Sequence, residues 1–365
     1  MKKTIQIAAL TAAAALSLAA CGAAPESSGG GSTQDATAKA GGDASSVKAC
    51  MVSDEGGFDD QSFNQSGKEG LDRAAKELGV ETKTAESHQD ADFEPNLNNM
   101  ITEGCSIIIG VGFKMADQIE AIAKANPNVK FALVDSTFKE NPENARALVF
   151  NTAEAGYLAG YVSAGMTQTG KLGTFLGMKL PTTAIFADGF EDGMKKYNED
   201  HGTAVSLVGW DKASQNGQAT GDFSDVAKGK STAETLIGQG ADIIMPVAGP
   251  VGAGALAAAK EAGDGKVSVV WVDADGYNTT DGGKYILTSV VKEIGAAVFD
   301  TIKSVVDGNF SSEAYIGDLK NGGVSIADFH DFDSKVPQEL KDGVKQIKED
   351  IIAGKIKVES PNQPK

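Results

Sequence analysis

Proton transfer or metal binding would first be sought at the three histidines, His88, His201 and His330. None falls in a metal-ligand spacing such as HExxH, and each sits in a polar, loop-like stretch, so all three read as surface side chains. The chain has no GxSxG nucleophile elbow. Lys228-Gly229-Lys230-Ser231-Thr232 has the end of a phosphate-binding loop, but Ser224 stands where its first glycine belongs. Gly252-Ala253-Gly254 opens a helical stretch without the rest of a dinucleotide fingerprint. Asp273-Ala274-Asp275-Gly276 begins like a calcium loop and lacks the closing glutamate. These residues support neither an enzyme nor a resident cofactor or metal.

A different set of polar residues recurs at one kind of place. Val52-Ser53-Asp54, Val111-Gly112-Phe113, Val134-Asp135-Ser136, Val247-Ala248-Gly249 and Val272-Asp273-Ala274-Asp275 each end an apolar run just before a helical pattern. Any one of them is explained by strand termination or helix capping. Together they describe a polar cleft, because open α/β sheets bind ligands beyond the carboxyl ends of their strands.

The elements that must position them are legible as short apolar runs. Strands are expected at 47–52, 107–111, 129–134, 147–150, 171–176, 204–208, 243–247, 267–272 and 285–289. Between them, Leu71, Ala74, Ala75 and Leu78 share a helical face, as do Met115, Ile119 and Ile122. A helix over 293–307 shows the same spacing through Ala297, Val298, Ile302 and Val305. Such alternation predicts parallel sheets flanked by helices, and the strand count fits two sheets better than one. The 44 glycines suit the many tight turns this requires, and 41% hydrophobic with 23% charged residues is the balance of a soluble globular body. A net charge of −17 argues against nucleic acid as a partner.

The N-terminus carries a different message. Lys2 and Lys3 precede a largely apolar run of about 16 residues, too short for a membrane span of roughly 20. The run ends Leu18-Ala19-Ala20-Cys21, which resembles a bacterial lipoprotein signal. That resemblance implies a signal peptide at 1–20, cleavage before Cys21 and a lipid on the new N-terminal cysteine. An ordinary secretory signal is the alternative. Residues 21–46 are built largely from Gly, Ala, Ser and Thr, a composition that buries no core and serves as a tether. The protein is therefore expected at the cell membrane, lipid-anchored and facing outside the cytoplasm. Cys50 and Cys105 are then an even pair in an exported chain, open to a disulfide if their strands are neighbours and otherwise two buried thiols.

The most specific stretch is Asp54-Glu55-Gly56-Gly57-Phe58-Asp59-Asp60-Gln61-Ser62-Phe63-Asn64-Gln65-Ser66. It resembles the first-strand signature of the basic membrane protein family, bacterial substrate-binding lipoproteins that include purine nucleoside receptors of ABC transporters. Ile107-Ile108-Ile109-Gly110-Val111-Gly112-Phe113, Tyr157-Leu158-Ala159-Gly160, Phe186-Ala187-Asp188-Gly189-Phe190 and Thr288-Ser289-Val290-Val291-Lys292 continue the match in order. The resemblance runs from residue 47 to about 358.

It implies a type I periplasmic-binding-protein fold, two doubly wound parallel-sheet α/β lobes joined by a hinge. Lobe one would be 47–150 plus 288–324, and lobe two 151–287 plus 325–365. Crossings are expected near 150–152, 285–289 and 322–327, with Leu340, Val344, Ile347 and Ile351 forming an amphipathic helix in lobe two. The resemblance also implies a purine nucleoside ligand, ABC permease subunits as partners, and a monomer. Phe63 and Trp210 would cover the base, with a core place in the following helix as the alternative for Phe63. Asp54 and Asn64 would read the base edge, Asp135 and Asp273 would accept from the ribose, Lys292 would donate to it, and Gly249 would offer backbone approach. A sugar receptor of the same architecture, an exported nucleoside-acting enzyme and a surface adhesin are the competing readings.

The lipoprotein reading makes a direct prediction. Cys21→Ala, expressed in a bacterial host, should move the protein out of the membrane fraction; unchanged fractionation, with an unmodified N-terminus in the parent, would refute the anchor.

Overall fold

The computed structural model describes residues 46–364, so the expected signal peptide, Cys21 and the tether up to residue 45 lie outside the described residues. The first half runs β1 (Lys48–Ser53), α1 (Phe63–Leu78), β2 (Glu81–Ala85), α2 (Phe93–Thr102), β3 (Ile107–Val111), α3 (Ala116–Ala125), β4 (Lys130–Val134) and β5 (Ala145–Phe150). Then come α4 (Thr152–Met166), β6 (Lys171–Leu176), α5 (Pro181–His201), β7 (Ser206–Val208), β8 (Trp210–Asp211), β9 (Asn216–Gly217), α6 (Val226–Gly238), β10 (Ile243–Val247) and α7 (Ala253–Ala262). The chain closes with β11 (Ser268–Asp273), α8 (Gly276–Thr279), β12 (Ile286–Lys292), α9 (Ile294–Val306), β13 (Tyr315–Gly317), β14 (Val324–Ile326) and α10 (Gln338–Ile352).

Two six-stranded sheets result. The first is ordered β13-β5-β4-β3-β1-β2 and every pairing in it is parallel. The second is ordered β14-β12-β11-β10-β6-β7 and is parallel except for the edge strand β14. Helices cover both faces, so the central strands bury both sets of side chains. Cys50, Val52, Ile108 and Leu133 feed one core, while Met51, Ile109 and Val134 point into another. This is the period-2 alternation of a strand read across two layers. The fold is the two-lobed α/β architecture expected from the sequence.

The chain passes from the first sheet to the second between Phe150 and Thr152, where β5 ends and α4 begins. The next crossing lies later than expected. Residues 288–292, assigned to lobe one, belong to β12, which pairs with β11 and β14 in the second sheet. The chain returns only at α9, which packs on α1, with the Arg73 guanidinium 3.8 Å from the Phe299 ring centroid. The last crossing runs from β13 to β14, so Val324 also sits in the second sheet. Periodicity could not place these boundaries, because a buried strand reads the same in either sheet.

The sequence also concealed five short or polar strands, among them the two-residue β9. β2 reads Glu-Thr-Lys-Thr-Ala, an edge strand with no apolar run, and β8, β13 and β14 span three residues or fewer. The Gly160 and Gly189 motifs prove to be packing devices. A Cβ on Gly160 would lie 2.0 Å from the Phe190 carbonyl oxygen, and one on Gly189 2.1 Å from that of Ala153. These glycines let α4 and α5 touch backbone to backbone. Leu340, Val344, Ile347 and Ile351 are all buried on α10.

Cys50 and Cys105 are joined in a disulfide across 55 residues, with Cα atoms 6.0 Å apart. It staples β1 to the turn that precedes β3. Replacing both cysteines by alanine should lower unfolding free energy by about 2–4 kcal/mol. Denaturant unfolding of the oxidised parent and the double variant would measure it, and equal midpoints would show that the bond adds nothing.

Candidate ligand-binding cleft

The carboxyl ends of β1, β3 and β4 face those of β10 and β11 across a cavity between the two sheets. Asp54, Gly112, Asp135, Gly249 and Asp273, one from each of those strand ends, all line it. Phe63, Asn64 and Lys292 line it as well. Seven of the eight side chains or backbone positions assigned to ligand from the sequence thus share one wall-to-wall space. Trp210 does not.

Lys292 closes one end. Its ammonium is shut off from water and lies 2.6 Å from Asp135 Oδ2 and 3.4 Å from Asp273 Oδ1. Burial works against the charge, but attraction to Asp135 and then Asp273 outweighs it and holds Lys292 above the ordinary lysine value. The rings of Phe63 and Phe186 stand 4.8 and 5.7 Å from the same nitrogen and add their negative faces to its surroundings. Asp135 and Asp273 both have left-handed backbone, with φ of 66° and 69°. Non-glycine residues take that region at a cost, and it recurs at functional sites. This end offers carboxylate acceptors and one shared cationic donor, the chemistry that holds vicinal hydroxyls.

The other end is built on the start of α1. Asp60 accepts the backbone N–H groups of Ser62, Asn64 and Gln65 at 2.8–3.0 Å, fixing the first turn of the helix. Asn64 Nδ2 donates to Asp54 Oδ1 at 2.8 Å and to Asp60 Oδ2 at 3.2 Å. Its Oδ1 is buried and finds no hydrogen-bond partner among the described residues. Asp54 rests against the end of β3, where a Cβ on Gly112 would come within 2.5 Å of Asp54 Oδ2. Gly112 also has φ of 125°, so glycine alone fits. Burial pushes the Asp54 carboxyl up to about 6, against the opposing bonds from Asn64 and Gly56, with Asp60 and Glu55 adding repulsion. Asp54 and Asn64 therefore present two oxygen acceptors side by side, suited to a ligand edge that carries N–H donors.

Aromatic side chains supply the walls. Phe63 comes from lobe one, and Phe186 and Phe223 from the second sheet's side. Trp210, expected in that second role, is buried in the core, and its Nε1–H donates to Asp188 at 2.9 Å. Asp188 also accepts from Gln215, Ser360 and Asn362, so this pairing fastens the C-terminal segment rather than facing the cleft. Phe186 lies in the Phe186-Ala187-Asp188-Gly189-Phe190 motif, whose spacing does not mark it as a cleft residue. Phe223 sits in the polar run Gly221-Asp222-Phe223-Ser224-Asp225, and a lone aromatic amid turn residues was its only signal. Asp60 was visible in the signature, yet its capping role depends on where α1 begins.

His88 and His201 are exposed, as expected. His330 departs from that reading: its ring stacks on Tyr277 at 4.1 Å and its Nε2 lies 2.8 Å from Asp275 Oδ2. Among the described residues no group of three or more His, Cys, Asp or Glu is arranged to hold a metal ion.

Comparison with known proteins gives a concordant picture. A family model described as ABC transporter substrate-binding protein PnrA-like matches residues 47–360. A protein of Lactococcus lactis subsp. cremoris, named as an ABC transporter nucleoside-binding protein, is 33% identical, covering 98% of this chain and 99% of its own length. An uncharacterized lipoprotein of Pyrococcus abyssi is 33% identical over 92% of this chain and 78% of its own. A solved solute-binding protein of an ABC transporter system from Aeropyrum pernix K1 superposes with a TM-score of 0.76 at 28% identity, covering 86% of this chain and 94% of that one.

The raised Asp54 value carries a sign. A carboxyl whose folded pKa exceeds its unfolded value loses stability as pH climbs from about 3.8 to about 6, and the loss is complete above that. Asp54→Asn should therefore be more stable than the parent at pH 7.5, by about 1–3 kcal/mol, with the gain vanishing toward pH 4. Denaturant unfolding across that window checks it, and a variant destabilised at neutral pH would contradict the assigned burial cost.

Proposed function

This chain belongs to the PnrA-like family of ABC transporter substrate-binding proteins, and we propose that its ligand is a purine nucleoside. As a substrate-binding protein it captures a small molecule and has no turnover to perform. The observation that carries the nucleoside reading is the division of the cleft. One end pairs the Asp54 and Asn64 oxygens between aromatic walls, and the other gathers Asp135, Asp273 and Lys292. A flat heterocycle with N–H donors suits the first end and a ribose with vicinal hydroxyls the second. The name of the Lactococcus relative supports the same ligand class.

In this reading Phe63 covers the base from lobe one, with Phe186 and Phe223 in the place first given to Trp210. Gly249, with φ of 52°, brings backbone close to the sugar. The lipid on Cys21 holds the monomeric receptor at the outer side of the membrane, and the permease subunits receive the nucleoside there. The lipoprotein name of the Pyrococcus relative supports the anchor.

Calorimetry with adenosine, guanosine, inosine, the free bases and ribose tests the assignment. Phe63→Ala should weaken every nucleoside by roughly 1–3 kcal/mol, the value of one base stack. Asp135→Ala and Asp273→Ala should penalise nucleosides far more than free bases, because only the sugar loses its charge-assisted bonds. Tight binding of ribose or another sugar, with no nucleoside bound, would replace this reading with a sugar receptor.

A further inference from the structure

The two lobes are also tied together away from the cavity. Between β1 and α1, Gln61 has left-handed backbone, φ 58°, and its carbonyl oxygen is directed at the second sheet. There it accepts the Thr279 hydroxyl at 2.9 Å and the Trp271 indole N–H at 3.4 Å. Beside it, the Ser62 hydroxyl lies 3.1 Å from the Val272 carbonyl and 3.1 Å from Asp273 Oδ2. Gln61, Ser62, Trp271 and Thr279 are all absent from the cavity lining.

The receiving side is braced. Thr279 ends α8, whose first N–H is held by the Ser289 hydroxyl of β12 at 3.0 Å. Asp275, the residue before α8, accepts from His330, and Tyr277 stacks on that imidazole and donates to Asp331 at 3.1 Å. The His330 cluster, which the cleft does not use, thus fixes the platform that meets Gln61. Left-handed backbone at a glutamine persists only where its surroundings hold it. Here the surroundings are donors from the opposite lobe.

We propose that the Gln61 carbonyl, with Thr279 and Trp271 as its donors, is a closure latch that sets how tightly this receptor holds any ligand without selecting among ligands. These bonds form only when the lobes meet, so they add to the closed state's population. Apparent affinity scales with the fraction of molecules in the binding-competent state. Breaking the latch should therefore weaken all ligands by one common factor, which a residue contacting ligand would not do. The latch does not depend on the nucleoside assignment, only on closure of the cleft between two lobes.

Thr279→Val removes the hydroxyl donor at nearly constant volume, and Thr279→Ser keeps it. Affinities for adenosine, guanosine and inosine should fall about three- to ten-fold in the valine variant, the effect of one hydrogen bond. The three ratios should stay at parent values, dissociation should quicken, and the serine variant should return to the parent. Trp271→Phe, which removes the second donor, should show the same uniform loss. Unchanged affinities in both Thr279→Val and Trp271→Phe, or losses that differ among the three nucleosides, would overturn the latch. If no nucleoside binds the parent, the nucleoside reading fails alone, and small-angle scattering of the unliganded proteins decides the latch. A larger radius of gyration in Thr279→Val than in the parent supports it, and identical radii refute it.

Discussion

A lysine ammonium sealed from water must be answered by negative charge, and here the answer comes from both sheets. Lys292 ends β12 in the second sheet, Asp273 ends its neighbour β11, and Asp135 follows β4 in the first. The cost of stripping water from an isolated charge is many kcal/mol, so the group stays buried only while both carboxylates are in place. The lobes are therefore joined by a charge requirement as well as by three chain crossings. The late crossing after Lys292 follows the same logic. With β12 in the second sheet, Lys292 lies beside Asp273 and reaches across to Asp135.

Backbone strain accompanies this arrangement. Gln61, Asp135 and Asp273 are three of the six non-glycine residues with positive φ among the described residues. All three sit where one lobe meets the other or faces the cavity. Asp135 and Asp273 stand where β4 and β11 leave their sheets, Asp135 at the start of a loop rather than of a helix, and Gln61 shortly precedes α1. The polar side chain at such a strand end points beyond the sheet rather than into either core.

That regularity explains what could be read from the sequence. The long buried strands declared themselves: β3 and β10 are apolar throughout, β6 carries Leu172, Phe175 and Leu176, and the bounds of all three match the expected ones. Five strand-end positions fell in one cavity because parallel strands put all their carboxyl ends on the same side. Trp210 misled for a physical reason. An indole N–H can be satisfied by any buried acceptor, and in this fold Asp188 takes that place. Phe223 and Asp60 escaped because their roles are set by loop conformation and by the first turn of α1, which leave no periodic trace. The boundary near 288 escaped because sheet membership is a long-range fact.

Asp54 shows how such a site can carry a perturbed carboxyl without being catalytic. A value near 6 is what a general base requires, and perturbed groups in clefts are reasonable candidates for one. Its neighbours argue otherwise. Asn64 and the Gly56 amide hold the carboxylate still, and neither is a nucleophile. Asn64 Oδ1 beside it, without a partner among the described residues, faces the same demand for a donor. Two desolvated acceptors gain most from a ligand that donates to both. A ligand lacking either donor leaves one of them buried and unanswered. On the proposed reading, the same burial that raises the Asp54 value sharpens recognition, because the acceptor that cost most to desolvate is the one a matching donor answers.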